Sequence, residues 1–203
     1  MDKTGISMTD TPRSGRSSEA TREKLTRAAA ELIAELGWGR VTTRAVAERA
    51  GVPHGAVSYH FRGKQELLIE SCLAAFAQAV PFEEYAAKAT LDDVVGLIGS
   101  EIDHGLHRDA VLGRLMFEAI REAERDEGLR ERMGAMVTEY RKVLVAVVRA
   151  EQERGAISAT ISAEGVATLV TAIGDGLFLH ALLDPDLDVS EALGTLRVLL
   201  ATR

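Results

Sequence analysis

The chain has 203 residues, of which 46% are hydrophobic and 27% charged, values near the averages for folded globular domains. The single cysteine excludes an internal disulfide and fits a reducing cytoplasm. The sequence contains no run of eighteen uncharged apolar residues, so we expect no membrane span and no membrane partner.

The net charge of −7 is unevenly distributed along the chain. Residues 1–65 hold eleven Lys and Arg against seven Asp and Glu, whereas residues 66–203 hold thirteen against twenty-four. A cationic first third before an acidic remainder is typical of a protein that contacts phosphates at one end only. Ordinary scatter in a short segment gives the same imbalance, so the charge alone leaves both interpretations open.

The predicted elements begin after a polar N-terminal segment. Residues 1–18 contain Gly and Pro, show no apolar period and lack the apolar core of a secretory signal, so we expect a disordered arm. Beyond it, apolar residues recur at helical spacing and period-two strand patterns are scarce. The fold class predicted is all-α, with about nine helices. Apolar stripes outside residues 42–61 lie at 25–36, 68–79, 91–103, 111–123, 133–148, 166–182 and 189–200.

Two short helices are predicted between residues 42 and 61. Thr42 or Thr43 is suited to cap the first helix through its hydroxyl, and Gly51 supplies the positive φ of a tight turn. Pro53 lacks a backbone donor and fits the start of a second helix over residues 54–60. Helix, Gly-containing turn and helix form the helix-turn-helix arrangement, whose second helix fits the major groove of DNA.

The second helix has a composition that suits close contact with DNA. Its exposed positions are small or polar, and small side chains let a backbone approach base edges. Tyr59, His60 and Lys64 offer polar tips for phosphate oxygens, which set register, whereas base contacts set sequence preference. Two aromatic residues have plainer interpretations: Tyr59 could instead pack beneath the head, and Trp38 is expected in the core.

At this point the residues resemble a known family. Thr42-Thr43-Arg44, Ala47, Ala50-Gly51-Val52 and Tyr59-His60-Phe61 with Lys64, Glu66 and Leu67 look like the TetR family of bacterial regulators, over roughly residues 21–80. The resemblance implies a three-helix DNA-binding head and a larger helical body that dimerises and often binds a small effector. It implies phosphate contacts for Thr42, Thr43, Tyr59, His60 and Lys64, and positions near the bases for Arg44, His54, Gly55, Ala56 and Ser58. With Pro53, these residues are the predicted DNA-binding set.

The predicted organisation has three parts: the arm at 1–18, a helix-turn-helix DNA-binding domain at 19–80, and a helical ligand-binding and dimerisation domain at 81–203. The predicted function is a cytoplasmic, ligand-responsive regulator, a repressor that binds a palindromic operator as a homodimer and is released by a small molecule. A homodimer through the last two helices, 162–184 and 188–202, is expected because their apolar stripes are wide. A transcriptional activator, or a helical interaction module of the same fold without effector control, are the alternatives.

The body offers candidates for an effector pocket, because methionines and aromatics form adaptable apolar walls. The candidates are His104, Met116, Phe117, Met133, Met136, Tyr140, Asp175 and Phe178, most of which also fit a plain core. Asp175 interrupts an apolar helix, so its carboxylate needs a partner or solvent.

Other kinds of site find little support in the sequence. Asp103, His104 and His107 have metal-type side chains at helical spacing, but no further strong ligand pattern stands beside them, so no metal and no cofactor is predicted. No glycine-rich phosphate loop or nucleophile elbow occurs, so the chain is not expected to be an enzyme.

Overall fold

The computed structural model describes residues 13–79, 90–108 and 110–201. Within those ranges the chain forms nine α-helices and no strand, which confirms the all-α fold class and the number of helices. The helices are α1 (Arg13–Leu36), α2 (Thr43–Arg49), α3 (Gly55–His60), α4 (Lys64–Ala79), α5 (Leu91–Asp103), α6 (Ala110–Ala123), α7 (Glu127–Glu153), α8 (Ala163–Leu183) and α9 (Val189–Ala201). A 3₁₀ turn, Trp38–Arg40, follows α1, and a π-helical turn, His104–Arg108, follows α5.

The first helix begins earlier than the sequence predicts. Helix α1 starts at Arg13, so the last six residues of the predicted arm are helical, and residues 1–12 lie outside the described residues. Extending a helix that already exists fixes one residue for each hydrogen bond gained, so polar flanking residues join it at low cost. The hydroxyl of Thr21 also donates to the carbonyl of Ser17 at 2.8 Å within this extension.

The chain divides into two compact units, Met1–Cys72 and Leu73–Arg203. The predicted boundary between residues 80 and 81 falls outside the described residues. Helix α4 begins in the first unit and ends in the second, so the division by packing cuts a continuous helix.

The first unit, which we call the head, has a core of apolar side chains from α1 to α4. Helix α1 packs against α2 and α3, and α2 packs against α3. Trp38 is 3% exposed, and its indole N–H donates to Oε1 of Gln65 at 3.3 Å, which confirms it as a core residue. The fully buried side chains of the head include Leu25, Ile33, Val41, Val46, Leu67 and Leu68.

The turn between α2 and α3 has the geometry that Gly51 predicts. Gly51 has φ 65°, and its N–H donates to the carbonyl of Glu48 at 3.1 Å. The N–H of Val52 donates to the carbonyl of Ala47 at 3.0 Å. These two bonds form a Schellman motif, which satisfies the last carbonyls of α2 and ends it abruptly.

The second unit, which we call the body, is built around α5, α7, α8 and α9. Helix α8 packs against α5 and α7, while α9 packs against α5 and α6 packs against α7. Its core includes Val95, Ile98, Leu144, Val148 and Val170. Helix α5 begins in a capping box between Thr90 and Asp93.

Helix α8 has an unusually apolar surface. By length and composition it is the one helix among the described residues that could cross a membrane, and 17% of that stretch is buried within the chain. A single such helix is weak evidence for a membrane protein, because a helix that packs against a partner helix has the same composition. Its charged residues, Glu164 near the start and Asp175 in the second half, also interrupt the apolar surface.

Gly51→Ala should destabilise the head by about 1–2 kcal/mol, because a β-carbon is disfavoured at positive φ. Trp38 is the sole tryptophan of the chain and lies in the head core, so urea unfolding followed by its fluorescence reports on this unit. Gly134→Ala is the control, since Gly134 lies inside α7 with open space where its β-carbon would be. That variant should stabilise its helix by up to about 1 kcal/mol in circular dichroism. An equal change in the free energy of unfolding for Gly51→Ala and Gly134→Ala would contradict the turn that we assign to Gly51.

Candidate nucleic-acid interface and body site

Two buried side chains hold the short helix α3 in the head. Val57 is 2% exposed and Phe61, which follows the helix directly, is 3% exposed. The guanidinium of Arg22 lies 5.5 Å from the centroid of the Phe61 ring and 3.0 Å from a carboxylate oxygen of Glu70. One cation of α1 therefore contacts both the end of α3 and a carboxylate of α4.

The opposite face of α3 is open. Its predicted DNA-facing residues His54, Gly55, Ser58 and Tyr59 are exposed, whereas Ala56 and His60 are half-buried. His54 is the N-cap, so the helix itself starts one residue later than predicted.

Tyr59 does not pack beneath the head. It is 79% exposed, and its ring meets the ring of His60 edge-on at 5.0 Å between centroids. The phenol is consequently positioned to reach outward, as a phosphate contact requires.

The start of α2 lies beside this face. Thr42 is the N-cap of α2, and its hydroxyl oxygen accepts from the N–H of Ala45 at 3.2 Å, which leaves the O–H able to donate. Oγ1 of Thr43 lies 3.3 Å from Nε2 of His54, a contact that links the two helix starts. Arg44 and Pro53 are exposed.

Lys64 has a partner that the sequence does not predict. Its ammonium donates to the carbonyl of Gly39 at 3.0 Å. An ammonium has three donors, so this bond fixes the side chain and still leaves two for a phosphate.

Other basic residues of the head differ in the partners that their side chains have. Arg49 makes a two-pronged contact with Glu35, at 2.9 and 2.8 Å, and lies 3.4 Å from Glu31. The hydrogen bonds from Arg49 lower the pKa of Glu35 and tie α2 to α1. Arg40, whose Nε–H donates to the carbonyl of Leu36, and Arg62 are exposed on either side of α3 in sequence. Both were absent from the predicted DNA-binding set. Their positive charge close to the helix-turn-helix is the sequence feature that could have identified them.

In the body, the structure brings some of the predicted pocket residues together. Phe117 of α6 and Phe178 of α8 are stacked, with 6.5 Å between ring centroids. Tyr140 of α7 has a raised pKa, first because of its burial and then because of the charges of Glu101 and Asp175. Asp175 and Phe178 lie three residues apart on α8 and therefore on neighbouring positions of its surface, which joins the two groups. The five residues, Glu101, Phe117, Tyr140, Asp175 and Phe178, are called the acidic–aromatic cluster below.

Phe178 is seated in a slot lined by two glycines. A β-carbon at Gly113 would lie 2.7 Å from the tip of its ring, and one at Gly105 would lie 3.0 Å from the ring. The distance at Gly113 is shorter than real contacts, so a larger residue there would displace the Phe178 ring, and a larger residue at Gly105 would make it shift slightly. Gly105 belongs to the π-helical turn, and such turns often accompany functional sites.

Glu101 is the residue of this cluster that the sequence reasoning missed. Its Oε1 oxygen is buried and has no hydrogen-bond partner among the described residues. Burial raises the pKa of Glu101 to about 7. Its position carried a signal, because Val94, Ile98 and Glu101 follow the same i, i+4, i+7 stripe on α5.

Asp175 is the exposed carboxylate of the cluster, and the partial desolvation of its carboxylate raises its pKa. The other predicted pocket residues are less closely tied to the cluster. His104 is exposed. Met116, Met133 and Met136 are half-buried and do not pack on the main body core. No group of three or more metal-type side chains occurs in the part of the chain that the structure describes.

The head geometry and the all-helical body define a DNA-binding regulator of the helix-turn-helix class. The model of the bacterial regulatory proteins of the tetR family matches residues 25–70, and that of the C-terminal part of BetI-type transcriptional repressors matches residues 103–203. The chain belongs to the TetR family of transcriptional regulators. No curated protein matches the sequence.

Solved structures share this fold over nearly their whole length. A protein of Streptomyces coelicolor A3(2) described as a transcriptional regulator is 26% identical, with a TM-score of 0.69 over 90% of this chain and 99% of its own. FadR of Bacillus subtilis, in complex with stearoyl-CoA, is 20% identical, with a TM-score of 0.72 over 89% and 97%. A regulator from Saccharomonospora viridis, in complex with choline, is 22% identical, with a TM-score of 0.70 over 89% and 94%.

Glu101→Gln should stabilise the chain above neutral pH and have little effect in mild acid. The folded pKa of about 7 exceeds the ordinary value of 4.5, so the folded state holds an extra proton between those values. The contribution of Glu101 to stability therefore falls as pH rises from about 4.5 to 7, and the penalty is complete above 7. At about pH 8 the gain should be on the order of 2 kcal/mol, reduced for partial exposure.

The free energy of unfolding is measured by urea unfolding with circular dichroism, once at about pH 8 and once in mild acid near pH ~4.5. Glu131→Gln is the control, at an exposed position of α7. A gain that is the same at both pH values, or absent at the higher one, would contradict the burial of an ionisable Glu101.

Proposed function

We propose that this chain is a cytoplasmic, homodimeric repressor that binds an inverted-repeat operator through α3 and is released by a small-molecule effector. The observation that carries the DNA-binding part is the outward face of α3, where Tyr59 is 79% exposed beside small and polar residues. The match of residues 103–203 to BetI-type repressors favours repression over activation. Residues 19–80 form the proposed DNA-binding domain and residues 81–203 the proposed effector and dimerisation domain.

The proposed contacts with DNA are of two kinds. Thr42, Thr43, Tyr59, His60 and Lys64 bind phosphates, joined by the exposed Arg40 and Arg62. Arg44, Pro53, His54, Gly55, Ala56 and Ser58 lie nearest the bases. The contact between Thr43 and His54 supports this division, because it fixes the imidazole at the start of α3. Two heads related by a two-fold axis bind half-sites about one helical turn, ~34–36 Å, or a multiple of it apart.

Effector control is supported by the ligand complexes of structural relatives. Stearoyl-CoA and choline, bound by two of them, differ greatly in size and charge. The fold therefore accommodates unlike ligands, and the ligand of this chain has to be inferred from its own side chains. The proposed effector site includes the predicted residues around the acidic–aromatic cluster.

The proposed dimer interface lies on the last two helices. The exposed apolar residues of α8 include Leu169 (63%), Leu179, Leu182 and Leu183 (76%), and α9 exposes Val198 and Leu199. Exposed apolar side chains concentrated on two helices favour an interaction site there. Two copies joined by α8 and α9 bury it in a four-helix bundle, and an isologous contact gives the two-fold symmetry that an inverted repeat requires.

DNA binding should weaken steeply as salt is raised, with a slope of about −0.9 in log–log units for each phosphate contact. Fluorescence anisotropy on a duplex selected from a random pool measures it. Lys64→Ala should lower affinity for all sequences and reduce the slope by about 1, whereas His54→Ala should change the selected sequence. Lys142→Ala is the control, because Lys142 lies on the body in an ion pair with Glu139. A flat salt dependence would refute the DNA-binding proposal, and like effects of the two head variants would refute the division of contacts.

Replacing Leu182 and Leu183 by Glu should convert the dimer into a monomer, because it places four like charges in one two-fold interface. Analytical ultracentrifugation gives the molecular mass, and operator affinity should fall by at least about tenfold with the loss of two-site binding. Val137→Glu changes an exposed apolar residue of α7 outside the proposed interface and should leave the dimer intact. A dimer that survives the double substitution would place the interface elsewhere.

A further inference from the structure

The acidic–aromatic cluster has an unmet hydrogen-bonding requirement. The buried Oε1 of Glu101 accepts no hydrogen bond within the described part of the chain. A buried carboxylate oxygen without a donor costs free energy that a single N–H or O–H group would recover. The orphaned oxygen thus indicates a missing donor.

The charges around the acidic–aromatic cluster indicate which charge the missing donor carries. The charges of Glu101 and Asp175 both act on the phenol of Tyr140, so residues from α5, α7 and α8 share one neighbourhood. Burial raises the pKa of Glu101 and of Asp175, and no cation of the described residues lowers either pKa. An anion is repelled there, and a cation relieves both desolvated groups.

The aromatic pair supplies the apolar part of the site. The Phe178 ring lies against Gly105 and Gly113, and Phe117 stacks on it while remaining 38% exposed. Ring faces attract cations and pack against planar or aliphatic groups. The cluster therefore combines a carboxylate acceptor with an aromatic wall carried by neighbouring helices.

We propose that the acidic–aromatic cluster binds a protonated organic amine, whose N–H group donates to Oε1 of Glu101 and whose hydrocarbon part lies against Phe117 and Phe178. The second carboxylate, Asp175, contributes attraction at longer range. An amine that bears N–H groups is favoured over a quaternary ammonium, because only the former can donate to the orphaned oxygen. This assignment rests on the proposed effector control by the body, whose ligand class it names.

The experiment uses the full chain and four matched probes in isothermal titration calorimetry at about pH 8, where Glu101 is ionised. Benzylamine carries the cation and the N–H donors, benzyltrimethylammonium the cation alone, benzyl alcohol the O–H alone, and benzoate the opposite charge. Benzylamine should bind at least about tenfold more tightly than benzyl alcohol and measurably more tightly than benzyltrimethylammonium, and benzoate should not bind.

Glu101→Gln should weaken benzylamine binding by about tenfold or more, whereas Glu131→Gln should leave it unchanged. Because Glu101→Gln removes a buried charge, we expect this variant to fold. Circular dichroism then shows whether a loss of benzylamine binding comes from a loss of folding. The proposal is overturned if benzylamine fails to bind, if benzyl alcohol binds equally well, or if Glu101→Gln binds benzylamine as tightly as the parent chain.

Operator binding in the presence of benzylamine separates this proposal from the proposed function. Binding of benzylamine that leaves DNA affinity unchanged supports the amine site and counts against its role in release. Operator release by another class of ligand, with no amine binding, overturns the amine site and leaves effector control standing.

Discussion

Helix α3 has six residues, far fewer than an isolated helix needs to be stable in water. Its position depends on the burial of Val57 within it and of Phe61 directly after it, each of which contributes about 1.5–3 kcal/mol. Because these two side chains face the core, helical periodicity turns Ser58 and Tyr59 outward. The surface offered to DNA is therefore a consequence of how the head packs, and its exposed residues are free to vary in chemistry without loss of the fold.

The parts of the head that were predicted from sequence are those determined by local chemistry. A threonine at a helix start and a glycine that tolerates positive φ each act within a few residues, so the cap at Thr42 or Thr43 and the turn at Gly51 were predicted. In the body, the regular apolar stripe of α5 likewise gave its bounds. The contact of Lys64 with the carbonyl of Gly39 joins residues 25 apart in the chain, and no local pattern indicates it. The same holds for the early start of α1, where propagation of an existing helix outweighs a polar composition.

In the body, sequence patterns identified side chains but not their surroundings. Phe178 was a candidate because it is aromatic, yet its seat depends on Gly105 and Gly113, which lie more than sixty residues away in the chain. Glu101 was missed because a glutamate is ordinarily solvated, and its burial arises only where α5 meets other helices of the body. The places predicted for Met116, Met133 and Met136 in an effector site stay predictions, because an adaptable side chain alone does not place a residue in a site.

A ligand changes a conformational equilibrium only by the difference in its affinity for the two states. A solvated carboxylate gives little such difference, because water replaces the ligand at small cost. In the proposed amine site, the buried Oε1 of Glu101 gives a large difference, because the packing that buries it is penalised when the site is empty and relieved when a donor fills it. Coupling free energies of about 1–3 kcal/mol are typical of allosteric proteins, and the recovery of one buried charge-assisted hydrogen bond is of that size. The residue that appears as a defect in the packing of the body is thus the one best suited to make its helices respond to a ligand.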